Sequence, residues 1–531
     1  MSSPPSTSSS GPSSRASISS STSTGSASSK DLTLAAHLSL LALDEKNEDA
    51  EELAATPVFT SSVLDYGSEL KAKGKTDPFA QYGLLAGIIE ASNNSRKNSS
   101  EARDNDIRLF FNTTAPSSVF ICGSQGSGKS HSLSCLLENF LTQSKANVLP
   151  RPLTGIVFHY DPFGGSACEA AYLASAKDIS VRVLCAPTNV RDIKAIYSDL
   201  PDVVVEELRI NQSDLDTRKM MELMAVSSVQ GSIPLYLHVV QRILKDLRIE
   251  EQLNGTTFNY REFKSRLTDA ALAPGQLGPL QQRLDNLESF LPGQLTIVDL
   301  SCPCVTEETA CSLFNICLDL FLQHRRADTG LVIALDEAHK YMTDTVESAV
   351  LTAKLLENIR VQRHLGIRVI ISTQEPTISP KLLDLCSTTI VHRFTSPDWM
   401  QALKKHLAGA SIVPLEEVCN NDDDDDDDDF DRKVVKLPLT ANELTTELFT
   451  KIVALRRGEA LLFCPSAIID VRRSVTKSER NSMTNGDGVK LEDNHEKQKR
   501  HPQLAKLSHG HLKIRVRERV TRDGGRSVVA R

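Results

Sequence analysis

The sequence predicts an α/β fold built on an open sheet, and three observations carry that prediction. Apolar runs alternate with helix-period segments from about residue 118 to residue 400, the pattern of a sheet wound with helices. The stretch FICGSQGSGKSHS at 120–132 leads one apolar run through a glycine-rich turn into a helix-period segment. A later run, GLVIALDEAHKYM at 330–342, ends on an acidic pair, and ligands of open parallel sheets bind at such carboxyl ends.

Taken in order, residues 1–30 are Ser, Thr, Pro and Gly with almost nothing apolar, so a disordered tail is expected because burial cannot repay the entropy of ordering. Residues 31–107 read as a lead-in, with a helix over 31–54 and an irregular stretch from 57 to 117. The core spans 108–405, with candidate strands at 118–122, GIVFHY from 155, VRVLCA from 181, LTIVDL from 295, GLVIALD from 330, IRVIIST from 367 and TTIVHRF from 388. Between about 200 and 290 the pattern is helical throughout, which predicts a helical insertion within the core. The unbroken run Asp422–Asp429 marks a solvated, disordered loop over 418–432, since adjacent carboxylates repel. Residues 433–475 resume the core as a helix and a strand pair, and 476–531 read as a polar, then basic tail.

Composition excludes little. The formal net charge of −8 equals the charge of the eight-aspartate run, so the rest of the 531 residues sums to zero and bulk charge does not speak for or against a nucleic-acid partner. The 11 cysteines lie mostly in apolar segments such as VFIC, RVLC and LLFC, as core thiols of a reducing compartment do. Cys302, Cys304, Cys311 and Cys317 lack paired C-x-x-C spacing, which argues against zinc. LTLAAHLSLLAL is too short to span a bilayer, and the first 30 residues hold a single arginine, Arg15, too few for a transit peptide. Cytoplasm or nucleus is the expected location, with no membrane partner.

The chemistry concentrates in two motifs. Gly123 and Gly128 bracket four residues and precede Lys129 and Ser130, the G-x-x-x-x-G-K-[ST] spacing of a phosphate-binding loop. The expected cradle comprises Gly123, Ser124, Gln125, Gly126, Ser127, Gly128, Lys129, Ser130 and His131, with Lys129 reaching the β- and γ-phosphates of ATP and Ser130 on Mg²⁺. Asp336 is the second expected Mg²⁺ ligand, and Glu337 the residue that polarises the attacking water. Asp299 also ends an apolar strand, but no glutamate follows it, so a structural role is expected. Gln374, in IISTQEP, stands where a strand tip could sense the γ-phosphate. Arg360 and Arg363, three residues apart on one helix face, either reach the nucleotide of a neighbouring subunit or form a solvated face.

The order GSQGSGKS, YDPFG, LTIVDLS, ALDEAHKYM, RVQRHLGIRVIISTQEPTISPKLLDLCSTTIVHRFTSP and RRGEALLF resembles the HerA branch of the HerA/FtsK superfamily of P-loop ATPases over about 108–405 and 440–475. The resemblance implies a RecA-like core, a homo-oligomeric ring that is hexameric in the family, and ATP-driven translocation of DNA. It assigns hydrolysis to Asp336 and Glu337, γ-phosphate sensing to Gln374 and a trans-acting role to Arg363. Two departures stand out: Gly165 replaces the acidic residue usual after D-x-x-G, and residues 31–107 show no evident amino-terminal β-barrel. D-E-A-H occurs in another helicase group, whose S-A-T and Q-x-x-G-R-x-G-R motifs are not found here. The alternative reading is a nucleotide-gated scaffold that moves no nucleic acid; a small-molecule kinase is disfavoured because no acceptor-binding motif stands out. The tail from Lys497 carries eleven Lys and Arg against Glu518 and Asp523, and is expected either to contact DNA phosphates or an acidic partner, or to pack LKIRVRERV on the core as a strand.

Overall fold

The structure is a computed structural model that describes residues 45–91, 106–163, 165–209, 216–223, 235–269, 294–326, 328–406, 441–472 and 502–524. The chain divides into two units, Met1–Glu48 and Asp49–Arg531, and all that follows concerns the second. The expected amino-terminal tail and the aspartate run lie outside the described residues. Among the described residues no helix is long and apolar enough to cross a membrane.

Eight parallel strands form the centre: β1 (Ser118–Cys122), β2 (Thr154–His159), β3 (Ser180–Cys185), β4 (Val203–Glu207), β5 (Gln294–Asp299), β6 (Leu331–Leu335), β7 (Ile367–Thr373) and β8 (Thr388–His392). Their spatial order is β8-β1-β7-β6-β2-β5-β3-β4. Within β1, Phe120 and Cys122 enter one apolar cluster while Val119 and Ile121 enter the other. Both faces of the inner strands are therefore buried, which is why those strands read as continuous apolar runs rather than as alternating ones. Helix α1 (Lys129–Leu141) packs Leu133, Leu136, Leu137 and Phe140 on one face. Helices α2 (Glu307–Gln323) and α3 (Val346–Leu365) cover the other with residues such as Phe314, Phe321, Leu351 and Leu355. Each fully buried side chain of this size contributes about 1.5–3 kcal/mol.

Three expectations are corrected. First, β4 lies inside the span expected to be wholly helical; it is a half-exposed strand that, among the described residues, pairs along β3 alone. Helices Thr217–Leu223, Leu235–Asn254 and Tyr260–Asp269 follow it. Second, the stretch expected to be irregular supplies three strands, Val58–Thr60, Tyr82–Ala91 and Arg108–Asn112, and the two longer ones pair antiparallel. Third, Glu459–Phe463 and Ile468–Arg472 do not pair with each other: the former extends β8 antiparallel, the latter pairs with Val58–Thr60 and Gln503–Lys506.

The basic tail resolves into its packed alternative. Leu512–Val516 is a sheet strand between Glu459–Phe463 and Tyr82–Ala91, with Leu512, Ile514 and Val516 buried. Its cations are largely committed: Lys513 pairs with Glu90, Arg515 with Glu459, and Arg517 and Arg519 with Glu138. Glu138 is fully buried on α1, and its carboxylate accepts from the Val520 and Thr521 amides and the Thr521 hydroxyl as well as from Arg517 at 2.7 Å. Burial alone would lift its pKa, but these donors outweigh it and hold the carboxyl below its ordinary value.

Truncation after residue 501 should yield protein that aggregates, because it opens two long strand edges and strips Glu138 of its donors; leaving a buried charge unpaired costs about 3–5 kcal/mol. Soluble yield and size-exclusion behaviour check this, and a soluble, cooperatively unfolding truncate would refute it.

Candidate nucleotide site

The loop 123–128 joins the carboxyl end of β1 to α1. Gly123, Gly126 and Gly128 have φ of 151°, 72° and 118°, backbone that side chains rarely allow. Space closes at two of them as well: a Cβ on Gly123 would lie 2.7 Å from the His392 Cβ, and one on Gly128 3.3 Å from the Gly458 nitrogen. The loop is braced from outside. The Ser124 amide and hydroxyl both donate to the Arg393 carbonyl at 2.9 and 2.8 Å, and the Gly458 amide donates to the Ser127 carbonyl at 3.2 Å. Beneath it, His392 Nδ1 donates to the Glu459 carbonyl at 3.0 Å, so its Nε2 accepts from the Ser132 hydroxyl at 2.9 Å. Burial pushes the His392 pKa down to about 4, which keeps the ring neutral in this role.

The start of α1 has no side-chain cap and no acidic residue in its first turn, so its free amides face an anion unopposed. Lys129 is buried, and its ammonium donates to the Ser124 carbonyl at 3.2 Å. Burial pulls its pKa down while Glu337 and Asp336 pull it back up. Ser130 is half-buried beside it, and Gln125 and Gly126 are exposed. His131 differs from the rest of the expected cradle: its ring hydrogen-bonds the Arg517 carbonyl at 2.8 Å, which leaves its main chain to face a ligand.

Because β7 lies between β1 and β6, its tip stands between the loop and the acidic pair. Asp336 is buried at the end of β6; its Oδ1 accepts from the Glu337 amide at 3.1 Å, and its Oδ2 lies 3.6 Å from His159 Nδ1 and 3.9 Å from Cys168 Sγ. Donor atoms of these three residues all lie within 4.8 Å of one another. Burial opposes a charge on His159, but Asp299 and Asp336 outweigh it and raise its pKa to about 9. Asp299 is occupied by the Tyr197 hydroxyl at 2.7 Å and the Ser301 amide at 3.0 Å, a structural set of partners.

Glu337 has φ of 49°, a left-handed backbone that costs a non-glycine residue about 1–3 kcal/mol. Its Oε2 accepts from Gln374 Nε2 at 3.2 Å and lies 3.5 Å from His339 Nδ1, which itself accepts the Gln374 amide at 3.3 Å. Burial pushes the His339 pKa down, with Glu337 and Glu375 opposing. His339 was missed from the sequence, although its place two residues after Glu337 in the same turn was a usable signal. Also missed was Gly458, whose signal was its RRGEALLF context alone.

Arg360 and Arg363 do not join this cluster. Both are exposed on α3, and Arg363 lies just before β7, at the amino ends of the strands. The seven residues of β7 separate it from Gln374, roughly 20 Å at the usual strand rise.

No family model and no curated protein matches the sequence. Similar solved structures include VirB4 of Thermoanaerobacter pseudethanolicus, at 13% identity and a TM-score of 0.42 over 66% of this chain and 88% of that one. Another is the genome packaging NTPase B204 from Sulfolobus turreted icosahedral virus 2 in complex with ATP-gammaS, at 10% identity and a TM-score of 0.26 over 66% and 92%.

The neutral His392 makes a pH prediction. In the unfolded chain it takes a proton near pH 6.5, in the native state only near pH 4, so its share of stability falls as pH drops through that window. His392→Gln keeps one donor and one acceptor and does not titrate. Relative to this variant, the wild-type unfolding temperature should fall between about pH 7 and pH 4.5, and a pH-independent difference would refute the assignment.

Proposed function

We propose that this chain is a Mg²⁺- and ATP-dependent P-loop ATPase, working as a ring-forming motor on DNA. The observation that carries the reading is the convergence of the loop, the buried Lys129, the Asp336–Glu337 pair and Gln374 at one end of one sheet. The site fits a triphosphate: the α1 amides are uncapped, and the loop glycines occupy backbone that only they take freely. Gly123 to His131 would hold the phosphates, with Ser130 and Asp336 on the metal. When bound, ATP supplies the phosphoanhydride that water cleaves, and Mg²⁺ offsets its charge.

The protein's own residues divide the work. Lys129 exchanges its Ser124 carbonyl for phosphate oxygens, an exchange its desolvated ammonium favours. Glu337 orients the attacking water and accepts its proton, while the Gln374 side-chain amide holds the carboxylate and His339 in turn accepts the Gln374 main-chain amide. Gln374 connects through β7 to Arg363, so a change at the carboxylate has a rigid strand along which to reach the far edge. From that edge Arg363 cannot serve its own loop; it completes the site of a neighbouring copy, with Arg360 one turn earlier beside it.

Lys129→Ala should weaken ATP binding about 10- to 100-fold, since a hydrogen bond to a charged group contributes about 1.5–3 kcal/mol. Glu337→Gln should bind ATP normally and lose at least about 100-fold in turnover. Calorimetric titration and phosphate release separate the two, and equal loss of affinity in both variants would sink the division of roles. Arg363→Ala should bind ATP yet turn over slowly, and mixing it with Lys129→Ala should restore activity once subunit exchange is shown. Full activity in a monomer, or exchange without recovery, would reject the trans role; turnover indifferent to DNA would favour the nucleotide-gated scaffold.

A further inference from the structure

At the amino ends of the central strands lies an open groove of about 670 Å³ lined by Arg151, Arg325, Arg326, Arg363 and Arg368, with Asp328 its one carboxylate among the described residues. Arg151, Arg325, Arg326 and Arg363 are exposed, whereas Arg368 is 6% exposed. The Arg368 guanidinium is held by main-chain carbonyls alone, those of Gly366, Thr113 and Thr114 at 2.7, 2.9 and 2.5 Å, and its Nε has no partner. Among the described residues no carboxylate pairs with it. Burial brings its pKa down to about 10, so it remains a cation at neutral pH. Room for it comes from Gly330, where a Cβ would sit 2.6 Å from Nη1.

A buried cation without a counter-ion is costly unless something negative completes it. The surrounding charges do not: Asp328 lies 3.5 Å from Arg326 in an exposed pair, worth little in water, and Arg325 spends one N–H on the Leu365 carbonyl at 3.3 Å. We infer that the Arg151, Arg325 and Arg326 side of this groove is the docking track for the phosphodiester backbone of a nucleic acid, Arg363 being kept for the neighbouring copy's nucleotide. Several separate exposed guanidiniums along an open trough suit a polymer with repeated charges, and planar forked donors suit phosphate oxygens. The groove stands at the opposite end of the sheet from the phosphate loop, so the polymer does not compete with the chain's own ATP. The inference deepens the motor reading and rests on it for the choice of polymer.

The test is the full chain with Arg151, Arg325 and Arg326 all replaced by Ala, titrated with fluorescent single- and double-stranded DNA of about thirty nucleotides at several salt concentrations. Affinity should drop at least about tenfold, and the slope of log K against log salt should become shallower by about two to three, close to one for each phosphate that an arginine no longer neutralises. ATP affinity should not move. The matching triple Lys variant should keep the slope, because charge is retained; if it weakens binding as much as the Ala set, packing rather than charge is at stake and the proposal fails. Wild-type binding with unchanged affinity and slope in the Ala variant overturns the groove and spares the motor reading. No DNA binding by wild type overturns both. Unchanged DNA binding together with failure of ATP-dependent self-association assigns the groove to a second copy instead.

Discussion

The buried carboxylate of Glu138 is the contact on which the arrangement of this molecule depends. It sits on α1, the helix that begins at Lys129, and the donors that satisfy it come from the segment 517–521. The helix that presents its amides to phosphate is thus fixed laterally by residues far away in sequence. Removing either partner leaves a charge in a medium that does not solvate it, so helix and segment keep their places together.

The same logic extends around the loop. Gly458 touches it through the Ser127 carbonyl, His392 supports it through Ser132, and Arg393 holds Ser124. Each of these comes from the end of β8 or of the strand beside it, so the antiparallel extension is a brace for the phosphate end of the sheet. At the other end the chain gathers arginines, with Arg368 held by carbonyls in space left by Gly330. A parallel sheet aligns all its carboxyl ends on one side and its amino ends on the other, and here the first side carries the phosphate loop with its acidic pair and the second a gathering of arginines.

What could be read from the sequence was local. The central strands announce themselves as apolar runs because both their faces are buried, and the loop and acidic pair are contiguous motifs whose spacing is their chemistry. β4 escaped because Val203–Glu207 is a half-exposed edge strand beside a long helical span. Tyr82–Ala91 escaped for another reason: Gly83, Ala86 and Gly87 interrupt its apolar residues so that no clean period emerges, and one of its partners, Leu512–Val516, lies more than four hundred residues away. Pairings of that kind leave no trace in a local window. Among the supports of the site, Arg517 was illegible on the same account, whereas His392, Gly458 and His339 stood inside stretches already singled out.

The placement of Leu512–Val516 between Tyr82–Ala91 and Glu459–Phe463 also bears on how the chain is made. A ribosome delivers the sheet from its amino end, and Tyr82–Ala91 waits with an open edge while more than four hundred residues are added. Glu459–Phe463 then docks on β8 and presents a second open edge. Only when residue 516 leaves the exit tunnel can one short strand close both. Nascent chains therefore carry unpaired strand backbone until Leu512–Val516 is free to pair, the state in which chains associate with one another, and a cell that makes the protein in quantity has reason to cover those edges until that strand arrives.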